Sequence, residues 1–187
     1  MIYPQKITSR KSDLIINILL VISIIVALVL ILINKLTTPD IHWAAVANCG
    51  IIYIWLTVIY SIKRSDNVAG HVLIQTILIS IVTIYLDKTL GWKAWSVYIA
   101  NPVILIIANI TMLILTAISY EKYIKYAIYQ LIIVLISFTP MILIMKNIIE
   151  LKALNRIAIE ISVLNFLISL IFCYKDIKDA ITRKIHM

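Results

Sequence analysis

Six long apolar runs dominate this chain, at roughly 14–35, 42–62, 68–87, 94–119, 124–145 and 157–174. A helix needs about 20 mainly apolar residues to cross about 30 Å of hydrocarbon, and each run is near that length. The runs are continuously apolar rather than alternating, which argues against the short strands of a membrane barrel. The connectors between them are short and carry nearly all the charge. The expectation is an all-α membrane protein, a six-transmembrane-helix bundle forming a single membrane domain over residues 1–187.

Composition supports lipid as the solvent. The chain is 63% hydrophobic and 14% charged, whereas a soluble domain is roughly half apolar and about a quarter charged. A soluble fold of this size could not cover so much apolar side chain. The first run is too long for a cleaved signal peptide and lacks a small-residue cleavage site. The expected location is the cell membrane, crossed several times.

The net charge of +8 belongs to the ends of the apolar runs, where basic residues orient helices and meet anionic lipid. One side holds Lys6, Arg10, Lys11, Lys63, Arg64, Lys122, Lys125, Lys175, Lys178, Arg183 and Lys184. The other holds Lys35, Lys88, Lys93, Lys146, Lys152 and Arg156. Together these are all 17 basic residues, and the larger set predicts that both the N- and C-termini are cytoplasmic. Trp43, Trp92 and Trp95 fit the outer interface; Tyr60, Tyr120, Tyr123, Tyr126 and Tyr174 fit the inner one. Past the sixth run, Ile177, Ile181 and Ile185 recur every four residues among basic ones. That spacing predicts an amphipathic segment over 176–187 lying on the anionic inner leaflet; the alternative is a docking site for a cytoplasmic partner. No basic stripe interleaved with aromatics is left over, so nucleic acid is not an expected partner. The expected partners are the lipid bilayer, anionic inner-leaflet lipid at the basic termini, and a membrane or cytoplasmic protein that the sequence does not identify.

Polar groups within the apolar runs must find protein or water partners. Asn101-Pro102 stands about two turns inside the fourth run, where proline cannot donate to the carbonyl of Tyr98 and should kink the helix. Thr139-Pro140 stands at a similar distance from the outer end of the fifth run and frees the carbonyl of Ile136. With Asn48 and Glu160 these residues fall in one outer layer. Asn48, Asn101, Pro102, Thr139 and Glu160 are therefore a candidate outward polar pocket, with Asp87, Trp92 and Trp95 as its rim. The packing alternative has Asn101 bonding only to its own helix and Glu160 reaching water or Arg156. His71, Gln75 and Gln130 form a second candidate cluster toward the cytoplasm. Asn109 and Asn165 lie near mid-membrane, where Asn bonds between helices.

Catalytic and metal motifs are missing from the sequence: no HExxH, no GxSxG and no phosphate-cradling glycine loop among the 3 glycines. Cys49 and Cys173 stand alone in different runs and read as small buried apolar residues. No cofactor and no metal is expected, and no enzyme activity.

The segments "YPQKI", "YIWLTVIYSIKR", "YLDKTLGWKAWSVYIANPVILIIA" and "TRKIHM" resemble an uncharacterised family of bacterial multi-span membrane proteins of unknown function. Its most specific pattern falls on Asp87, Gly91, Trp92, Trp95, Ser96 and Pro102. Members often carry an N-terminal zinc ribbon ahead of the Tyr-Pro, which this sequence lacks. A looser resemblance is to the substrate-binding membrane subunits of energy-coupling-factor vitamin transporters. Those dock their partner through Ala-rich spacing in the first helix, where this chain offers only Ala27. The expected role is a small binding, transport-accessory or sensory module. The alternative is a small-solute transporter subunit with the outward pocket between the second, fourth, fifth and sixth runs. A membrane enzyme is a third class.

Overall fold

A computed structural model describes residues 6–63, 67–118 and 123–185, with side chains described over 14–62, 67–118 and 127–171. Every regular element among them is helical: α1 (Lys6–Thr37), α2 (Trp43–Lys63), α3 (Val68–Thr89), a π turn (Ser96–Ala100) leading into α4 (Asn101–Ile118), α5 (Tyr123–Ser137), α6 (Thr139–Met145) and α7 (Ala153–Ile185). Six helical stretches are long and apolar enough to cross a membrane: Leu14–Thr37, Trp43–Ile62, Val68–Thr89, Ser96–Ile118, Ala127–Met145 and Ala153–Ile171.

Two boundaries differ from the sequence reading. The sixth span begins a turn early, at Ala153, and its helix continues unbroken to Ile185. No proline or glycine interrupts residues 153–185, so nothing ends the helix where the apolar run stops. The expected basic amphipathic face over 176–187 falls on side chains outside the described residues. So do Tyr120, Tyr123, Tyr126, Tyr174 and the larger set of basic residues.

The chain divides into two compact units, Met1–Ile59 and Tyr60–Met187. In the first, Asn34 fixes the α1–α2 turn. Its Nδ2 donates to the carbonyls of Thr38 and Ile41, both at 2.7 Å, and its Oδ1 accepts from Ala44 N at 3.1 Å. Trp43 Nε1 donates to Thr38 Oγ1 at 2.9 Å. One buried amide thus satisfies groups that the end of α1 and the start of α2 leave unpaired. The span of α1 buries none of its apolar window, and Leu14, Leu28 and Leu32 are each more than half exposed.

In the second unit α4 packs against α3, α5 and α7, and α5 against α3 and α7. The buried positions recur at alternating steps of three and four. On α4 they include Pro102, Leu105, Asn109, Met112 and Thr116; on α7, Asn155, Ala158, Ser162, Asn165 and Ser169. That spacing is the seam of helices packed close to parallel or antiparallel. The stripe of α7 is made of small and polar residues, which let helix backbones approach closely in lipid. Ala69, Leu73, Ala108, Met112 and Ile133 form the apolar centre.

Candidate functional site

The α3–α4 connection is built around Asp87. Leu90 closes α3, and Gly91, Trp92 and Ala94 then take positive φ of 95°, 49° and 59°. Glycine adopts that region freely, whereas tryptophan and alanine do so only when the surroundings hold them there. Asp87 supplies the hold. Its Oδ1 accepts from Lys93 N at 2.9 Å, and its Oδ2 accepts from Ser96 N at 3.1 Å and Ser96 Oγ at 2.7 Å. Trp92 N donates to the Asp87 carbonyl at 2.8 Å. Asp87 is fully buried and is therefore a cap on the next helix rather than an open rim. Trp92 is 54% exposed and Trp95 half-buried.

The expected proline kink in the fourth span takes the form of a π turn. Asn101 N donates to the carbonyl of Ser96, five residues back, and Asn101 Nδ2 donates to the same carbonyl at 3.0 Å. Pro102 follows, fully buried and without an N–H. The carbonyl of Val97 would take its donor from Asn101 in an α register or from Pro102 in a π register. The first is engaged by Ser96 and the second does not exist, so no backbone N–H of either register reaches it.

Thr139 and Pro140 resolve differently. The Thr139 hydroxyl donates at 2.6 Å to the Ile136 carbonyl that Pro140 leaves free, and the helix breaks between α5 and α6 at Phe138. Thr139 is exposed and Pro140 buried. Glu160 lies outside this arrangement: it pairs with Arg156 Nε at 2.9 Å, with the two side chains 61% and 71% exposed respectively. Asn101 and Glu160 thus each bond within their own helical segment, as in the packing alternative, and no bond joins them. Asn48 belongs to the first unit, where its Nδ2 donates to the Ala27 carbonyl at 3.3 Å.

At the start of α3, Tyr60 and His71 meet edge to face, 4.8 Å between ring centres. Asn67 caps α3 by accepting from Gly70 N at 3.0 Å and donates to Tyr129 Oη at 2.8 Å. His71 and Gln75 share the face of α3 that the four-residue spacing implies, and both are half-buried. Gln130 belongs to a larger assembly.

That assembly is a chain of neutral side chains through the middle of α4, α5 and α7. Asn109 Nδ2 donates to the Leu105 carbonyl at 2.8 Å and to Ser137 Oγ at 2.7 Å, with Ser162 Oγ at 3.4 Å. Its Oδ1 accepts from Asn165 Nδ2 at 2.7 Å. Asn165 Oδ1 accepts from Gln130 Nε2, and Gln130 Oε1 faces the Thr116 hydroxyl at 3.0 Å. Ser137 Oγ closes the far end on the Ile133 carbonyl at 2.8 Å. The Leu105 carbonyl requires an NH₂ group from Asn109, and that choice fixes every later amide in turn. The five linked side chains, Thr116, Gln130, Asn165, Asn109 and Ser137, are each at most 1% exposed.

A family model described as a family of unknown function, DUF6320, matches residues 3–187. The chain belongs to this family. No curated protein and no solved structure matches it.

Two features of this DUF6320 member escape inspection of single residues. Asn155 is fully buried, yet neither its Nδ2 nor its Oδ1 has a hydrogen-bond partner, and the buried Ser80 hydroxyl also has none. The signal for Asn155 was its place, with Ala158, Ser162, Asn165 and Ser169, in a stripe of three- and four-residue steps. Asn34 and Ser137 had no such signal, because a lone Asn at a span end or a lone Ser within one is ordinary. Just before α7, Tyr98 Oη accepts from Glu150 N at 3.3 Å and Lys152 Nζ sits 3.8 Å above the Tyr98 ring. This contact ties the entry of α7 to the π turn. Among the described residues no group of three His, Cys, Asp or Glu could hold a metal ion.

Proposed function

We propose that this protein is a multi-pass cell-membrane protein with both termini in the cytoplasm, acting as a small binding, transport-accessory or sensory module and not as a catalyst. The observation that carries this reading is the head-to-tail amide chain from Gln130 through Asn165 and Asn109 to Ser137. Amides neither gain nor lose protons in the physiological range, so this chain is suited to holding helices in register and not to relaying protons. Departures from regular helix gather elsewhere, at the π turn, at Pro102 and in the positive-φ loop after α3. π turns and strained loops are frequent at recognition sites. A fixed centre with a specialised outer end suits a module that holds a ligand or partner. The transporter-subunit alternative loses its shared Asn101–Glu160 pocket, since each residue bonds locally.

The test is affinity purification of the tagged full chain from its native membranes in mild detergent. A co-purifying ATPase supports a transport-accessory role, and a kinase or transcriptional regulator supports a sensory one. Turnover of a lipid or soluble substrate by the purified chain alone would defeat the non-catalytic reading.

A further inference from the structure

Seven residues before Ser162 on α7 is Asn155, and seven residues before Asn109 on α4 is Pro102. Asn109 and Ser162 are in contact, and the two helices run in the same direction, as the Tyr98 contacts with Glu150 and Lys152 confirm nearer their starts. Asn155 is therefore level with Pro102. Helix α3 runs the opposite way, with Asp87 bonded to Ser96. Seven residues before Asp87 is Ser80, and seven after Ser96 is Val103, so Ser80 reaches the same level from the other side. In each case the step is about 10 Å along the helix. Both α3 and α7 pack against the π turn. One layer thus contains a buried amide with no partner and a buried hydroxyl with no partner, beside the π turn.

We propose that this layer is a binding site for a small uncharged hydrogen-bonding guest, either water or a solute of the amide or alcohol class, held by Asn155 and Ser80 beside the π turn. The inference deepens the reading of the chain as a binding module, and rests on it for the side of the membrane that the site faces. Native proteins rarely leave both ends of a buried amide unpaired, and a bound molecule is the usual partner where backbone regularity is also broken. The guest is neutral because neither side chain is ionised. The carboxylate of Asp87, about 10 Å further along α3, already accepts from three donors, and Glu160 and Arg156 neutralise one another on an exposed face. Asn155 offers two donors and one acceptor, and Ser80 can act as either, which suits a guest that both donates and accepts.

The test combines a structure of the full chain in lipid nanodiscs, at a resolution that shows ordered water, with thermal unfolding of wild type, Asn155→Leu and Ser80→Ala. We expect non-protein density within about 3 Å of the Asn155 amide and of Ser80 Oγ. Asn155→Leu should abolish that density and lower the unfolding midpoint by a few degrees, with a smaller drop for Ser80→Ala. A single-atom peak identifies water. A larger peak that is lost on washing and returns with added acetamide identifies an amide-class solute. Direct protein partners on Asn155 with no guest would overturn the proposal, as would an Asn155→Leu protein of equal or higher stability. A peak displaced by sodium chloride would overturn the neutral class. If Asn155→Leu does not fold, the wild-type density and Ser80→Ala decide the matter. Topology labelling tests the membrane orientation separately, so a missing guest with correct labelling defeats this inference alone.

Discussion

Asn165 Nδ2 donates to Asn109 Oδ1 at 2.7 Å, joining α7 to α4 between two fully buried amides. Asn109 also holds Ser137 and the Leu105 carbonyl. Asn109→Leu should therefore destabilise the second unit by about 1–3 kcal/mol, because Asn165 and Ser137 would be left with unpaired polar atoms. The double variant with Asn165→Leu should cost less than the sum of the singles, with a coupling of about 0.5–2 kcal/mol. Unfolding in a graded detergent or denaturant series measures all three. Additive losses would mean that the contact is geometric only.

The spans were legible because a membrane-crossing helix leaves a length and hydropathy signal that no tertiary detail can erase. The inter-helix role of Asn109 and Asn165 was legible for a similar reason, since an amide in the middle of a long apolar run has few other outlets. The face that each polar residue uses was not legible. Glu160 turns outward because Arg156 lies one turn before it on the same helix, a local option that competes with any interior partner. Asp87 became a cap because Gly91, Trp92 and Ala94 fold the loop back over it, and their backbone angles have no signature beyond the glycine. Gln130 lies with Thr116 and Asn165, a pairing set by how α4, α5 and α7 align rather than by depth alone.

Asp87 should control the order of the α3–α4 loop. Asp87→Ala removes the acceptor for Lys93 N, Ser96 N and Ser96 Oγ together. Amide hydrogen exchange at Lys93 and Ser96 should accelerate at least tenfold, while exchange in the middle of α4 should change little. Asp87→Asn should show an intermediate effect, because its amide keeps only one oxygen. Unchanged protection at Ser96 in the alanine variant would remove the capping role.

Position 70 is crowded by contact rather than constrained by φ. A Cβ there would lie 2.6 Å from Tyr60 Oη and 3.2 Å from Asn67 Cγ. Gly70→Ala should destabilise by about 1–3 kcal/mol, the usual range for overpacking. Adding Tyr60→Phe removes the nearer atom and should recover part of the loss. If the double variant is no more stable than Gly70→Ala alone, the crowding lies with Asn67 instead.

Glu160 and Arg156 form an i,i+4 pair near the start of the Ala153–Ile171 span, on a face that the protein leaves uncovered, and such a pair contributes about 0.3–0.5 kcal/mol where its charged ends reach interfacial water. Glu160→Gln should therefore leave stability almost unchanged. A loss above about 1 kcal/mol, read from the same unfolding series, would place Glu160 in a buried role that its exposure does not suggest.

Orientation is the prediction on which the sidedness of every other site depends. The seventeen basic residues divide unequally between the two sides, and the positive-inside rule places the richer side in the cytoplasm. In a Cys49→Ser, Cys173→Ser background, single cysteines at Asp40, Thr89 and Asn147 should react with an impermeant thiol reagent in intact cells. A cysteine at Asp66 should react only after the cells are opened. Thr89 is the most informative position, because it ends α3 at the loop that Asp87 organises. Labelling of Asp66 in intact cells, with Thr89 protected, would invert the topology. The π turn, Asn155 and Ser80 would then face the cytoplasm, and any guest would reach them from inside.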